Sequence, residues 1–214
     1  MVDIDLKAHW EEVYSTRGAT KVSWHQGEPR LSLELIRAVA PAVNGRIIDV
    51  GGGASVLVDR LLDWPFERIA VVDIAETPLE QAQSRLGQRA GCVDWIAADV
   101  TKIQDIGIFD VWHDRAAFHF LTDATDRRKY VDLARRTLPA GGHLIIASFA
   151  DDGPKQCSDL DVCRYNAKSM VAELGEGFSL IRWARETHIT PWNGSQAFIY
   201  GVFRRQIALP INVL

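Results

Sequence analysis

Short, β-branched apolar runs alternate with stretches of helical period along the first two thirds of the chain. Residues 46–50 (RIIDV), 68–73 (RIAVVD), 92–98, 108–113 and 143–149 read as strands, each a brief apolar run bounded by turn residues. Between them, 55–63 reads as a helix, and 77–88 carries Leu79, Ala82 and Leu86 at helical spacing. Residues 126–138 place Val131, Ala134 and Leu138 on one helix face, and Pro139 to Gly142 end that helix. Strands and helices in alternation predict a parallel sheet, because each crossover must pack on one of its faces. The last third changes character. Residues 168–174 are helical, and 178–189 and 195–203 read as two long strands joined by a turn at 191–194 (PWNG), an antiparallel hairpin. Ahead of the first strand, helices at 9–14 and 31–39 flank a polar loop holding Trp24, His25 and Gln26. No repeat, low-complexity tract or linker interrupts the pattern, so a single α/β domain is expected.

Composition narrows the class. The chain has 214 residues, 47% hydrophobic and 24% charged, which excludes a disordered chain. A net charge of -4 argues against a nucleic-acid backbone as partner, since phosphate binding needs a basic surplus. Cys92, Cys157 and Cys163 form no CxxC pair, so neither a disulfide scaffold nor a metal site is expected. No apolar run approaches the roughly 20 residues of a membrane helix. Asp3, Asp5 and Glu11 make the N-terminus too acidic for a signal peptide. A cytoplasmic protein with reduced thiols and no membrane partner is the expectation.

The stretch Ile47-Ile48-Asp49-Val50-Gly51-Gly52-Gly53 carries the most chemistry. Glycines after a strand let the backbone turn tightly and approach a ligand with no Cβ in the way. Dinucleotide folds place GxGxxG here, with the pyrophosphate on the helix N-terminus. Gly51 and Gly53 fit the first two glycines, but Val56 holds the third place. Asp49 argues further against a pyrophosphate, which its carboxylate would repel, and suits a ligand bearing an ammonium or a sulfonium. Asp73 closes the second strand about 20 residues past Gly51, where an acid can accept both ribose hydroxyls. Asp99, in Ala97-Ala98-Asp99-Val100, ends the third strand within reach of an adenine amino group. One acid at a strand end is commonly just solvated. Three at successive strand ends, one beside a glycine loop, mark a ligand crevice at the carboxyl edge of the sheet.

The order IIDVGGG, AVVDIA, AADV, FDVWHDR and LPAGGHLIIASF resembles a class I S-adenosylmethionine-dependent methyltransferase over about 45–203. The resemblance implies an α/β, Rossmann-like doubly wound seven-stranded sheet, mostly parallel with an antiparallel last strand and helices on both faces. It implies three sections: an N-terminal helical cover at 1–44, a cofactor-binding half at 45–150, and a substrate-side half at 151–214 with the terminal hairpin. S-adenosyl-L-methionine is the implied cofactor. Asp49, Gly51, Gly52 and Gly53 would hold its methionine part, Asp73 with Ile74 its ribose, and Asp99 with Val100 its adenine. Trp112-His113-Asp114-Arg115 with Arg127-Arg128-Lys129-Tyr130 is similar to the thiopurine S-methyltransferase-like branch, which has a WDRG-type segment before an (D/E)R-x-x-Y helix. Here His113 is inserted after Trp112, and Ala116 stands for the glycine. The Trp24-His25-Gln26 loop resembles the N-terminal cover of that branch.

Methyl transfer from a sulfonium is an in-line displacement that reduces charge, so the protein chiefly aligns the nucleophile and excludes water. A base is needed only when the acceptor arrives protonated. A thiol of lowered pKa attacks as thiolate. Asp114, Arg115 and His119 are the candidate catalytic residues. Asp114 and Arg115 are expected to pair and fix their loop, or Arg115 to face an anionic or electron-rich acceptor. His119, four residues after Arg115, shares its face if the segment is helical, and reads either as a base or as a hydrogen-bonded structural histidine. His113 is expected at the adenosine edge and Trp24 as a lid. Trp10 and Tyr14, at i, i+4 spacing, read either as packing or as ligand contacts, with Trp192 and His188 near the acceptor mouth. An aromatic lining favours a small apolar or aromatic acceptor.

The leading reading is therefore methylation of a small molecule at sulfur or another soft atom. Methylation of protein lysine would need an acidic groove, for which Glu173, Glu176, Asp151 and Asp152 are available. A non-catalytic nucleotide-binding module is the reading from another class. A dehydrogenase is disfavoured by Asp49 and the missing third glycine. The sequence leaves the acceptor atom and the oligomeric state open.

Overall fold

The computed structural model describes residues 5–41 and 44–206; the outer ends of the expected sections, at 1–4 and 207–214, and residues 42–43 lie outside them. Seven strands form one sheet: β1 (Gly45–Val50), β2 (Phe66–Asp73), β3 (Asp94–Ala97), β4 (Val111–Arg115), β5 (His143–Phe149), β6 (Phe178–Ile189) and β7 (Ser195–Arg205). Their order is β3-β2-β1-β4-β5-β7-β6. The first five pair in parallel, whereas β7 is antiparallel to both β5 and β6. This is the expected mostly parallel sheet with an antiparallel last strand. A two-residue ribbon, Gln156–Cys157 with Leu160–Asp161, lies outside it.

Both faces are covered, which is why the strands read as nearly continuous apolar runs. Ile48, Val72, Trp112, Leu144 and Ile146 pack toward α5 (Ala124–Thr137) and α6 (Ala167–Leu174). Their alternates Ile47, Val71, Val111 and Ile145 pack toward α2 (Arg30–Val39), α3 (Leu57–Leu61) and α4 (Glu76–Leu86). The remaining helix, α1 (Leu6–Arg17), docks on the first turn of α4. The N-cap of α4, Ala75, has no side chain to offer its orphan amides. Glu11 of α1 takes that role, accepting from Glu76 N at 2.6 Å and Thr77 N at 3.0 Å.

The fourth strand lies later than its apolar pattern suggests. Ile108 and Phe109 continue the run, but the Asp110 carboxylate is committed to Arg46, accepting from its backbone N, Nε and Nη2. Phe109 N donates to the Thr137 carbonyl of α5, so bonding to neighbouring strands begins with Asp110 N on the Arg46 carbonyl and the ladder runs from Val111, opposite Ile47 and His143. The strand runs on past His113 to take in Asp114 and Arg115, and successive side chains from Trp112 onward face opposite sides of the sheet. Trp112 and Asp114 point toward α5. There Trp112 Nε1 donates to Tyr130 Oη at 2.8 Å, and Tyr130 Oη donates to Asp114 Oδ2 at 2.7 Å.

Tyr130→Phe strips both buried neighbours of a partner. It should lower stability by about 1–3 kcal/mol, seen as a lower urea midpoint at unchanged slope. An unaltered midpoint would show that the network contributes nothing.

Candidate active site

The chain runs outward from β1 through β2 to β3, then returns to place β4 on the other side of β1. In open α/β sheets, ligands bind at the strands' carboxyl ends where the order reverses. Here that point is the turn after β1. Gly51, at φ 68°, takes a conformation that a side chain disfavours, and a Cβ there would collide with Ala117 Cβ. A Cβ at Gly52 would lie 2.6 Å from Asp49 Oδ2, and one at Gly53 2.9 Å from the Tyr14 hydroxyl.

Two cavities meet at this turn. The first, about 780 Å³ with its open mouth, is lined by Gly51, Asp73, Ile74, Asp99 and Val100 on one side and by Leu6, Trp10, Tyr14, Trp24, Phe120 and Leu121 on the other. Its roof is aromatic: Trp10 meets Trp24 and Phe120 edge-on, with ring centroids 5.6 and 4.9 Å apart, and Trp24 Nε1 donates to Tyr14 Oη at 3.2 Å. The second cavity is more polar, and its lining includes Ser32, Asp49, Gly52, His113, His25 and Gln26. Trp24, Gly51, Tyr14 and Arg115 face both.

Of the expected cofactor residues, the structure brings Trp24, Asp49, Gly51, Gly52, Asp73, Ile74, Asp99, Val100 and His113 to these walls; Gly53 lies beneath Tyr14. His113 lines the polar cavity, where it bridges Asp49 and Ser32. Trp10 and Tyr14 form part of the roof. The three expected catalytic residues separate. Asp114 is fully buried on the α5 side, where it accepts from Ala117 N, Phe118 N and Tyr130 Oη, and it lines neither cavity. It makes no ion pair with Arg115, because adjacent strand residues face opposite ways. His119 sits in a single 3₁₀ turn, Phe118–Phe120, rather than on a helix shared with Arg115. Its ring lies against Phe149, Nδ1 accepts from Phe149 N, and burial pushes it down to about 3. Arg115 alone reaches the cavities. Its Nε donates to Tyr200 Oη at 2.9 Å, its Nη1 to the Trp24 carbonyl at 3.0 Å, and its guanidinium lies over Phe198. Trp192 is exposed at the hairpin tip, and His188 Nε2 is 2.7 Å from the Ser23 carbonyl; neither lines a cavity.

Residues 48–146 match the family model described as a methyltransferase domain. The chain is 36% identical over 123 residues to a malonyl-[acyl-carrier protein] O-methyltransferase of Geobacter sulfurreducens, covering 56% of this chain and 43% of that protein. It is 28% identical over 149 residues to the eEF1A lysine and N-terminal methyltransferase of Mus musculus, covering 66% of this chain and 21% of that one. The chain thus spans less than half the length of either relative. Among solved structures, the N-methyltransferase NodS from Bradyrhizobium japonicum in complex with S-adenosyl-L-homocysteine superposes with a TM-score of 0.70 at 18% identity, over 91% of this chain and 97% of that one. Residues 48–146 are thus similar to a methyltransferase domain, and the chain has the fold of the superposed N-methyltransferase.

The donor set of the crevice fits S-adenosylmethionine. A turn that excludes side chains lets the backbone come close, and two acids stand on one wall of a crevice roofed by aromatic rings. Burial pushes Asp73 up to about 7, with the nearby Asp49 charge adding to the effect; Ala75 N is its hydrogen-bond donor. Burial alone would also raise Asp99. Hydrogen bonds from Thr101 N and Oγ1, with Lys102 beside it, instead hold Asp99 below the usual carboxylate range. Among the described residues no group of His, Cys, Asp and Glu is arranged to hold a metal ion, and no helix is long and apolar enough to cross a membrane.

A carboxyl raised from 3.8 to about 7 weakens the ligand-free fold as pH rises through that window, because its charged form is disfavoured there. Hydroxyl donors from a ligand favour the charged form and reverse the sign for binding. Affinity for S-adenosylhomocysteine should therefore rise between about pH 6 and 8 and level off above. Asp73→Asn should bind more weakly with a flat profile. The same pH dependence in that variant would remove Asp73 from the ribose site.

Proposed function

We propose that this chain transfers a methyl group from S-adenosylmethionine to a small-molecule acceptor that arrives as an anion, a thiolate in the first instance. The observation that carries the reading is the convergence of Asp49, Asp73 and Asp99, from the ends of three adjacent strands, on one roofed crevice. Asp73 with Ile74 would take the ribose, Asp99 with Val100 the adenine, and Asp49 with Gly51 to Gly53 the methionine part. Bound there, the cofactor supplies an electrophilic methyl group on a sulfonium sulfur.

The chain's own contribution is alignment and dryness. Trp10, Trp24 and Phe120 close the crevice against water, which strengthens electrostatic interactions inside it. Asp114 and His119 are turned away, so neither is placed to take a proton from an acceptor. A nucleophile that enters already ionised needs no base. Arg115 suits such an acceptor. Its Nη2 is buried without a hydrogen-bond partner, and Glu186 Oε2 lies 3.6 Å away, occupied by Tyr200 Oη. A guanidinium side chain on the lining of both cavities favours an anionic acceptor over a cationic one. The likeness of the Trp112 to Arg115 segment to the thiopurine S-methyltransferase-like branch supports sulfur as the acceptor atom, and Arg115 is its member facing both cavities.

Lysine methylation, the activity named for the mouse relative, is the second reading. It lacks its acidic groove here. Glu173 is bonded to Arg127 at 2.8 Å, Asp151 and Asp152 pair with Arg185, and none of these acids, nor Glu176, lines a cavity.

Incubation with methyl-labelled S-adenosylmethionine and separate panels of thiols, carboxylic acids, phenols, amines and protein extract tests the acceptor class. Label is expected in thiols, with turnover unchanged in His119→Asn. Label confined to the protein fraction would overturn the small-molecule reading.

A further inference from the structure

Three side chains join in a row on the wall of the polar cavity. Asp49 on β1 and His113 on β4 are register partners on one face of the sheet, with His113 Nδ1 2.7 Å from Asp49 Oδ1. His113 Nε2 lies 2.9 Å from Oγ of Ser32, on α2. Their exposures are 1% for Ser32, 2% for His113 and 3% for Asp49. Ser32 is a polar residue on the apolar stripe of α2, beside Leu35 and Ile36.

The proton positions follow from what each group can do. An ionised carboxylate only accepts, so in the neutral ring Nδ1 carries the proton and donates to Asp49. Nε2 then accepts from the Ser32 hydroxyl. Asp49 thereby sets the tautomer, Ser32 anchors the far side of the ring, and His113 occupies Asp49 Oδ1. The other oxygen, Oδ2, points over the backbone of Gly52, where no side chain intervenes. The row has the bonding order of a hydrolytic triad. The adjacent amides do not serve one, because Gly51 N and Gly52 N both donate to the Val72 carbonyl and leave no free pair for an oxyanion.

We propose that Ser32 and His113 are positioning residues that anchor Asp49 so that Oδ2 meets the ammonium at the amino-acid end of the cofactor. The proposal rests on the reading of the crevice as the S-adenosylmethionine site. Without Ser32, Nε2 loses its anchor and the ring is free to rotate away from the orientation that holds Asp49 Oδ1. Arg115 and His25 on the same wall do not substitute, since Arg115 is bonded to Tyr200 and the Trp24 carbonyl and neither donates to Asp49.

The test compares ligands with and without the amino-acid tail, by calorimetry on the full chain. S-adenosylhomocysteine carries the tail, and 5′-methylthioadenosine lacks it. Ser32→Ala should weaken S-adenosylhomocysteine by about tenfold or more while changing 5′-methylthioadenosine by less than about twofold, the scale of one hydrogen bond to a charged group. His113→Asn, whose amide nitrogen can take the place of Nδ1, should retain more tail-dependent affinity than His113→Leu. Equal loss of both ligands in Ser32→Ala, or wild-type affinity for S-adenosylhomocysteine, would overturn the proposal alone. Failure of the wild-type chain to bind either ligand would overturn the cofactor reading, and this proposal with it.

Discussion

The turn after β1 has no room for a side chain, and the rest of the site is arranged around that exclusion. Ala117 comes against Gly51, the Asp49 carboxylate against Gly52, and the Tyr14 hydroxyl with Asp73 against Gly53. Four separate segments can thus crowd one turn of backbone: the end of β1, the end of β2, the loop after β4 and helix α1. Any side chain in that turn would push the roof off the floor. The crevice between the two cavities exists because the glycines leave the carboxylates and the aromatic rings free to approach from opposite sides.

The second constraint is the two-residue alternation of β4. It sends Trp112 and Asp114 into the α5 core, and His113 and Arg115 toward the α2 face and the cavities. The same four consecutive residues therefore hold the core and furnish the site. Asp114 shows the cost of the inner position. Burial pushes it up to about 6, and it is retained by three donors rather than by a cation. Arg115 is the converse, a buried cation held by a hydroxyl, a carbonyl and an aromatic face, with the Glu186 carboxylate 3.6 Å away.

Much of the fold is legible in the sequence because its turns are strongly marked. Strand β5 lies at His143–Phe149 and β6 at Phe178–Ile189, as the apolar runs and the flanking Pro and Gly residues predict. Strand β4 is misread because Ile108 and Phe109 extend the apolar run, while Phe109 N bonds to the Thr137 carbonyl of α5 and not to a neighbouring strand. The cofactor-side acids are legible through their spacing from the glycine loop. The catalytic expectations fare differently. A helical period applied to 115–119 sets His119 beside Arg115, whereas the chain makes a single 3₁₀ turn and the ring goes under Phe149. Ser32, Tyr200 and Glu186 come from α2, β7 and β6 and meet Arg115 or His113 only through tertiary packing, which no local pattern records. A serine amid the apolar positions of α2 was the one local sign available.

Calorimetric titration of the purified chain with S-adenosylmethionine, S-adenosylhomocysteine and NAD tests the central claim most directly. A crevice with a carboxylate beside its glycine turn should bind the first two and reject the pyrophosphate of the third. Binding of NAD without either sulfur ligand would contradict the account at its root.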